Sequence, residues 1–410
     1  MNQKMPPLPR IKVEQVADPN PWETLDPLPC LRPAAAFVLA LLVAACAAYQ
    51  LPFAPPDVYT IPLLIACILA LLCAVRSVAV GVAFGVLLVG GYVFGGFSLS
   101  VGLALICPVM VMGLGAYLIT TCRTKWLILA PIASYIAAVL LCGNVFVALI
   151  SLISFPAAGI LAYYTMRNER RVSVICMTSL MYGLCITFGY VLLLFLQDGA
   201  VDLRALAAEL ETVREQVVAL LLQTEPLMEM LDKTYSTLGV SSRDVVVSLV
   251  NLIFNLLPGM VVVLINLMSY TAQLTCTRAY VGTGMKPLLS RTAQLFILSV
   301  PSAVIYMFCF VVTLFSGASN MFIAVVHNLL IILLPAMTLI GIFKLAGDLK
   351  NGVSRLWMLI LVGCAIIAPY MLILCISFSG ALTTLTRPLI TRMILKSQDK
   401  DGPDGPKRPD

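Results

Sequence analysis

Apolar runs broken by short polar or basic stretches recur from residue 34 to residue 386, most of them long enough for a membrane-crossing helix of about 17–25 residues. Seven runs, near 34–50, 58–75, 78–97, 99–121, 126–141, 145–164 and 172–196, precede a polar insertion at 197–244. Four follow it, near 245–274, 292–315, 321–343 and 356–379. The pattern predicts an all-α fold, a polytopic α-helical transmembrane bundle of about 10–11 spans. It divides the chain into a proline-rich tail at 1–33, a first bundle at 34–196, the insertion at 197–244, a second bundle at 245–386 and a polar basic tail at 387–410. The first tail lacks any apolar period and reads as flexible and cytoplasmic.

The insertion has a different period. Leu203, Leu206, Leu210, Val213, Val217 and Leu220 follow one another at helical spacing, while Arg204, Glu209, Glu211, Arg214 and Glu215 take the other faces. Pro226 should end this helix, and Leu227, Leu231 and Leu238 mark a second, shorter stripe that stops at Gly239. The result is an amphipathic helical hairpin whose apolar edge needs a covering surface, either the outer leaflet or the bundle. The acids of the hairpin have the spacing of a solvated helix surface. Ser241 and Asp244 resemble a capping box that opens the next span.

Charge sets the orientation. Only Asp57, Glu169 and Asp348 are acidic within 34–196 and 245–386, and all three sit at breaks between apolar runs. Basic residues gather at alternate breaks: Arg76; Arg123 and Lys125; Arg167, Arg170 and Arg171; Arg278, Lys286 and Arg291; Lys344, Lys350 and Arg355. The intervening breaks at 52–57, 92–98, 142–144 and 317–320 carry no Lys or Arg. Basic loops are retained inside, so the amino terminus is expected in the cytoplasm and the hairpin outside, in a multi-pass plasma-membrane protein. Eleven crossings would leave the basic Arg387, Arg392 and Lys396 outside. Either Pro369 bends the last segment back or one run is not a full crossing.

Composition agrees with the pattern. The 410 residues are 60% apolar and 11% charged, with a mean hydropathy of +1.00, far from the roughly 25% charged of a soluble domain. A net charge of +6 spread over short loops reports topology and gives no nucleic-acid footprint. The 13 cysteines, Cys46, Cys67, Cys107, Cys176 and Cys309 among them, show no CxxC spacing and read as small membrane hydrophobes, with no metal site or disulfide framework implied. The stretch Val43 to Cys46 loosely imitates a lipoprotein cleavage box, but a long, weakly basic leader precedes it and favours a retained span.

One run carries most of the candidate chemistry. Asn251, Asn255, Gly259, Asn266, Tyr270 and Gln273 fall within about 100° of one another on a helix, which makes one face polar from end to end. Pro258 beside Gly259 frees a backbone carbonyl near the middle of the run, as in the interrupted helices by which transporters bind solutes. Such a face suits a small neutral or zwitterionic solute. It equally suits hydrogen bonding between helices, the commoner fate of membrane amides. His327 and Asn328 offer a gate or packing pair, and with no second histidine or nearby carboxylate they suggest neither a zinc site nor a proton wire. Ala36, Ala40, Ala44 and Ala48 form a smooth stripe on which another helix can lie flush, and two GxxxG spacings occur at Gly81/Gly85 and Gly91/Gly95. Neither HExxH, GxSxG, a kinase set nor a P-loop around Gly282 and Gly284 is present, so no enzyme and no cofactor is expected.

From Phe155 onward the order of features is distinctive: Phe155, Pro156 and Gly159, the basic break at Arg167 to Arg171, the polar hairpin, Leu257, Pro258 and Gly259, Asn266 to Arg278, Asn328, and Leu339 to Gly341. It resembles the YybS-like family of uncharacterised bacterial membrane proteins over roughly the last two thirds of the chain. That family is similar in fold to the substrate-binding subunits of energy-coupling-factor vitamin transporters, which dock on a coupling partner through alanines four apart on the first helix. The resemblance therefore implies partner docking at Ala36, Ala40 and Ala44. Those subunits have about six spans against about eleven runs here, and fold analogy does not assign an activity. The expectations are a small-solute binding or transport component working without an intramembrane carboxylate or, as the alternative, a scaffold whose hairpin contacts an envelope protein.

Overall fold

A computed structural model describes residues 33–48, 99–121, 132, 135–136, 139–140, 151–167, 169, 171–198, 203–235, 241–282, 298–315, 321–350 and 372–386. The runs at 58–75 and 78–97, most of 126–141, both tails, and Gly239 lie outside the described residues. Nearly all the described residues are helical, and they include no strand. In chain order the helices are α1 (Pro33–Ala48), α2 (Leu99–Thr121), α3 (Ser154–Met166) entered through a 3-10 turn at Ser151–Ile153, and α4 (Arg171–Asp198). The hairpin helices α5 (Leu203–Leu222) and α6 (Glu225–Tyr235) come next. The chain continues with α7 (Ser242–Gly282), α8 (Val300–Phe315), α9 (Met321–Lys350) and α10 (Leu372–Thr386).

Segments within α4, α7 and α9, namely Arg171–Leu192, Ser242–Thr277 and Phe322–Leu345, are long and apolar enough to cross a membrane. Shorter apolar helices occupy Ala36–Ala47, Leu105–Thr121, Val300–Phe315 and Leu372–Thr386. The outward faces explain the composition: on α4, Met177, Leu180, Leu184, Phe188, Val191 and Phe195 are exposed at spacings of three and four. Water would not tolerate so continuous an apolar stripe, whereas lipid solvates it.

The helix α7 is the axis of the fold. It packs against α2, α4 and α9 and touches both hairpin helices. A large core joins α1, α2, α3, α4 and α7 around Cys107, Met110, Leu114, Leu161, Tyr182 and Ala272. A second, smaller one joins α8, α9 and α10 around Ala303, Tyr306, Met337 and Ala381. There the Tyr306 hydroxyl shares a 2.7 Å hydrogen bond with Ser377 Oγ, and the Phe310 ring lies between those of Tyr306 and Phe378. Antiparallel α9 and α10 meet backbone to backbone, because a Cβ at Gly341 would collide with the Ile376 carbonyl and one at Gly380 with the Met337 carbonyl.

One expectation needs correction. Pro226 does not end the first hairpin helix; α5 stops at Leu222, and Pro226 sits at the second position of α6. A first-turn proline loses no helical hydrogen bond, since its missing N–H would have had no partner there. The Met228 N–H donates to the Thr224 carbonyl at 3.1 Å, so the break is at Gln223 and Thr224. The alanine stripe of α1 faces inward and lies against another helix: Ala36, Ala40 and Ala44 are buried, Ala36 and Ala40 within the core that α1 shares with α2. Phe37, Val38 and Leu41 point outward in their place. The hairpin is tied down where Ser242 Oγ hydrogen-bonds Asp232 Oδ1, while Leu210, Val213, Val217 and Leu220 of α5 stay exposed.

Candidate functional site on the polar face of the central helix

In an unbroken helix the Asn255 carbonyl would accept from the Gly259 N–H four residues on. Here the Asn328 side chain of α9 offers a partner to both groups. Its Nδ2 donates to the Asn255 carbonyl at 2.7 Å, and the Gly259 N–H donates to its Oδ1 at 2.6 Å. The second Nδ2 proton goes to the Ala324 carbonyl of its own helix at 2.8 Å. The amide is thereby used as a double donor and an acceptor, next to the proline that already weakens this stretch of α7. Gly259 has to be glycine for the approach: an added Cβ would stand 2.6 Å from Asn328 Oδ1 and 3.1 Å from its carbonyl oxygen. Asn255, Gly259 and Asn328, which lie 69 to 73 positions apart across the two helices, form one junction.

Other residues of the face are placed differently. Asn255 itself is exposed, Asn266 is half-buried, and neither side chain hydrogen-bonds a described residue. Asn251 is half-buried with its Oδ1 enclosed and unpartnered. His327 is half-buried beside the junction but takes no part in it. Toward the Gly282 end the face turns inward, and Gln273 is 2% exposed with Oε1 unpartnered. Tyr270 is half-buried, and its ring stands 5.8 Å from the guanidinium carbon of Arg171.

Gln273 belongs to a group that sequence reasoning missed. Ser269 on α7, Thr178 and Ser179 on α4, and Thr165 at the end of α3 are buried with hydroxyls that have no partner among the described residues, as is the Nε of Arg171 at the start of α4. The register of the helices brings them to neighbouring levels of two interfaces, α3 with α4 and α4 with α7. α4 and α7 run antiparallel, since Gly183 lies opposite Ile265 and Arg171 lies against Tyr270. Four residues from the Gly183–Ile265 level, about 6 Å along each axis, stand Ser179 and Ser269. One further turn down α7 is Gln273. α3 and α4 form a tight hairpin, with Ser154 bonded to Tyr182 and Thr165 therefore level with Arg171. Gln273 was already a candidate from its helical face; of the others the sequence offered hydroxyl residues within apolar helices, Thr178 and Ser179 among them, which have no meaning until α4 is set beside α7.

The arrangement offers hydroxyl donors and acceptors, one amide carbonyl and one guanidinium in a place where packing excludes bulk water. Among the described residues, no three His, Cys, Asp or Glu side chains gather to hold a metal ion. No family model, curated protein sequence or solved structure matches this chain.

Proposed function

We propose that the chain is a membrane-embedded binding protein for a small polar solute, neutral or zwitterionic, and that it assists the passage of that solute across the bilayer. The proposal moves the binding layer from the middle of the α7 face to its Gly282 end, between α3, α4 and α7. One observation carries it: Thr165, Thr178, Ser179, Ser269 and Gln273 are all buried, and each keeps a side-chain polar atom without a partner among the described residues. A buried polar group left unsatisfied costs about 1–3 kcal/mol, and a bundle with no need of such groups would pair them or replace them with alanine. A solute rich in hydroxyl, amide or carboxylate groups satisfies several at once. The amide junction at Asn328 belongs to helix packing in this reading, since its hydrogen-bonding capacity is spent. The resemblance to the YybS-like family adds a fold expectation and no substrate.

The test is to purify the full chain in a mild detergent, denature it and identify released small molecules by mass spectrometry. The wild-type chain should release one solute in near-stoichiometric amount, and the paired variant Ser269→Ala with Gln273→Ala should release little while keeping its melting behaviour. A wild-type chain that releases none, with the layer filled by ordered water alone in an experimental structure, would overturn the proposal.

A further inference from the structure

A positive charge, Arg171, stands at the start of α4, at the end of the layer between α3, α4 and α7, with Glu169 two residues before it in the chain. Arg171 is the first residue of α4, and its Nε is enclosed without a hydrogen-bond partner. Among the described residues no carboxylate lies within ion-pair distance of it. The guanidinium faces the Tyr270 ring, its carbon 5.8 Å from the centroid. An aromatic face supports a guanidinium from one side and leaves the edge, where the N–H donors point, free for a planar or tetrahedral acceptor. The neighbours on α3 and α7, Thr165 and Gln273, are buried with unpartnered oxygens. The backbone N–H groups opening α4 add a favourable field for negative charge at the end of the helix that carries Arg171.

We infer that Arg171, backed by Tyr270, binds an oxyanion at this layer: the carboxylate of a zwitterionic solute or the phosphate of a lipid headgroup. The inference rests on the reading of this layer as a solute site and selects, within it, a solute that carries negative oxygens. The fork geometry of arginine matches carboxylate and phosphate alike, so the two sources share one chemistry and experiment separates them.

The experiment uses the full chain in dodecyl maltoside, which carries no oxyanion, and follows its melting temperature. The probes are glycine and inorganic phosphate as soluble oxyanions and phosphatidylglycerol as the lipid source, with sodium chloride as the ionic-strength control and glycerol as the neutral control. A ligand that binds the folded chain raises its melting temperature. Stabilisation by glycine or inorganic phosphate alone identifies a soluble source, and stabilisation by phosphatidylglycerol alone identifies the lipid. In Arg171→Gln the half-saturating concentration should rise about tenfold or more, the loss expected when a charge-assisted hydrogen bond is removed. Tyr270→Leu, which keeps the charge and removes its support, should fall between the two.

If Arg171→Gln fails to fold, the wild-type chain still decides the matter. The arginine reagent phenylglyoxal should modify Arg171 more slowly when the stabilising probe is present, as read by peptide mass spectrometry. No probe exceeding the two controls, equal stabilisation of wild type and Arg171→Gln, or no protection from phenylglyoxal overturns the inference. Should that happen while a copurified neutral solute still stabilises wild type and Arg171→Gln but not Gln273→Ala, the solute site stands without anion recognition. If no solute copurifies either, both readings fall.

Discussion

The junction of Asn328 with α7 shows how a single side chain can decide where two helices meet. Its amide bonds the Asn255 carbonyl and the Gly259 N–H, the two groups that an uninterrupted helix would give to each other. Asn328→Ala leaves those groups able to pair within α7, so the expected loss of stability is small, about 1 kcal/mol. Gly259→Ala should cost more, about 1–3 kcal/mol, because the new methyl group meets the Asn328 backbone as well as its side chain. The double variant separates the two effects: the carbonyl oxygen and Cα of residue 328 remain 3.1 and 3.2 Å from the methyl position, so rescue is partial. Thermal unfolding of the four chains in one detergent checks this, and full rescue would place the whole conflict in the amide. The sequence offered Asn255, Gly259 and Asn328 as interesting residues but could not pair them, since their contact spans about 70 positions and depends on the packing of α9.

At the scale of helices, apolar runs translate well into elements wherever packing has no reason to override them. The run at 99–121 coincides with α2 and the run at 172–196 with most of α4. α7, by contrast, runs on from 274 to Gly282 past the end of its apolar run, and hydropathy carries no information about where a helix continues into polar surroundings. Pro226 was misread because proline terminates a helix from the interior but is tolerated at its start, and the distinction depends on a neighbour, Thr224, accepting the first turn's hydrogen bond. Glycine spacing is similarly ambiguous. Gly341 and Gly380 carry the α9–α10 crossing although they share no local motif, each facing the other helix's backbone. Gly380→Ala should therefore lower stability by about 1–3 kcal/mol, in the range of an overpacked core. Gly159→Ala, where an added methyl meets nothing within 4 Å, should be neutral or mildly stabilising, since glycine inside a helix costs roughly 0.5–1 kcal/mol relative to alanine. Equal melting temperatures for the two variants would show that the α9–α10 approach is looser than the backbone contact described.

For the molecule as a whole, lipid in place of water as the outer solvent explains the most. α4 illustrates it: the buried positions Val174, Thr178 and Tyr182 include a hydroxyl that faces the polar layer, while Leu184 and Phe188, on its apolar outer stripe, are exposed. In a soluble protein that polarity would be reversed. Sequence hydropathy could announce the membrane, yet it could not tell which side of each helix was which, because nearly every position in these runs is apolar. The two solvents make opposite predictions for Leu184→Lys with Phe188→Lys. If water met this face, two exposed lysines would leave stability nearly unchanged and raise solubility. If hydrocarbon meets it, each lysine near mid-span costs about 2.5–3.5 kcal/mol of insertion free energy, enough in pairs to defeat a single helix. The expected outcome is loss of the variant from the carbonate-resistant membrane fraction, with degradation or aggregation in its place. Moving the same two lysines to Glu209 and Glu215, exposed on the hairpin, should leave membrane recovery intact, because that helix has a polar face already. Undiminished recovery of the Leu184 and Phe188 variant would mean that α4 does not meet lipid on this side, and the arrangement of polar layer within and apolar stripe without would need another explanation.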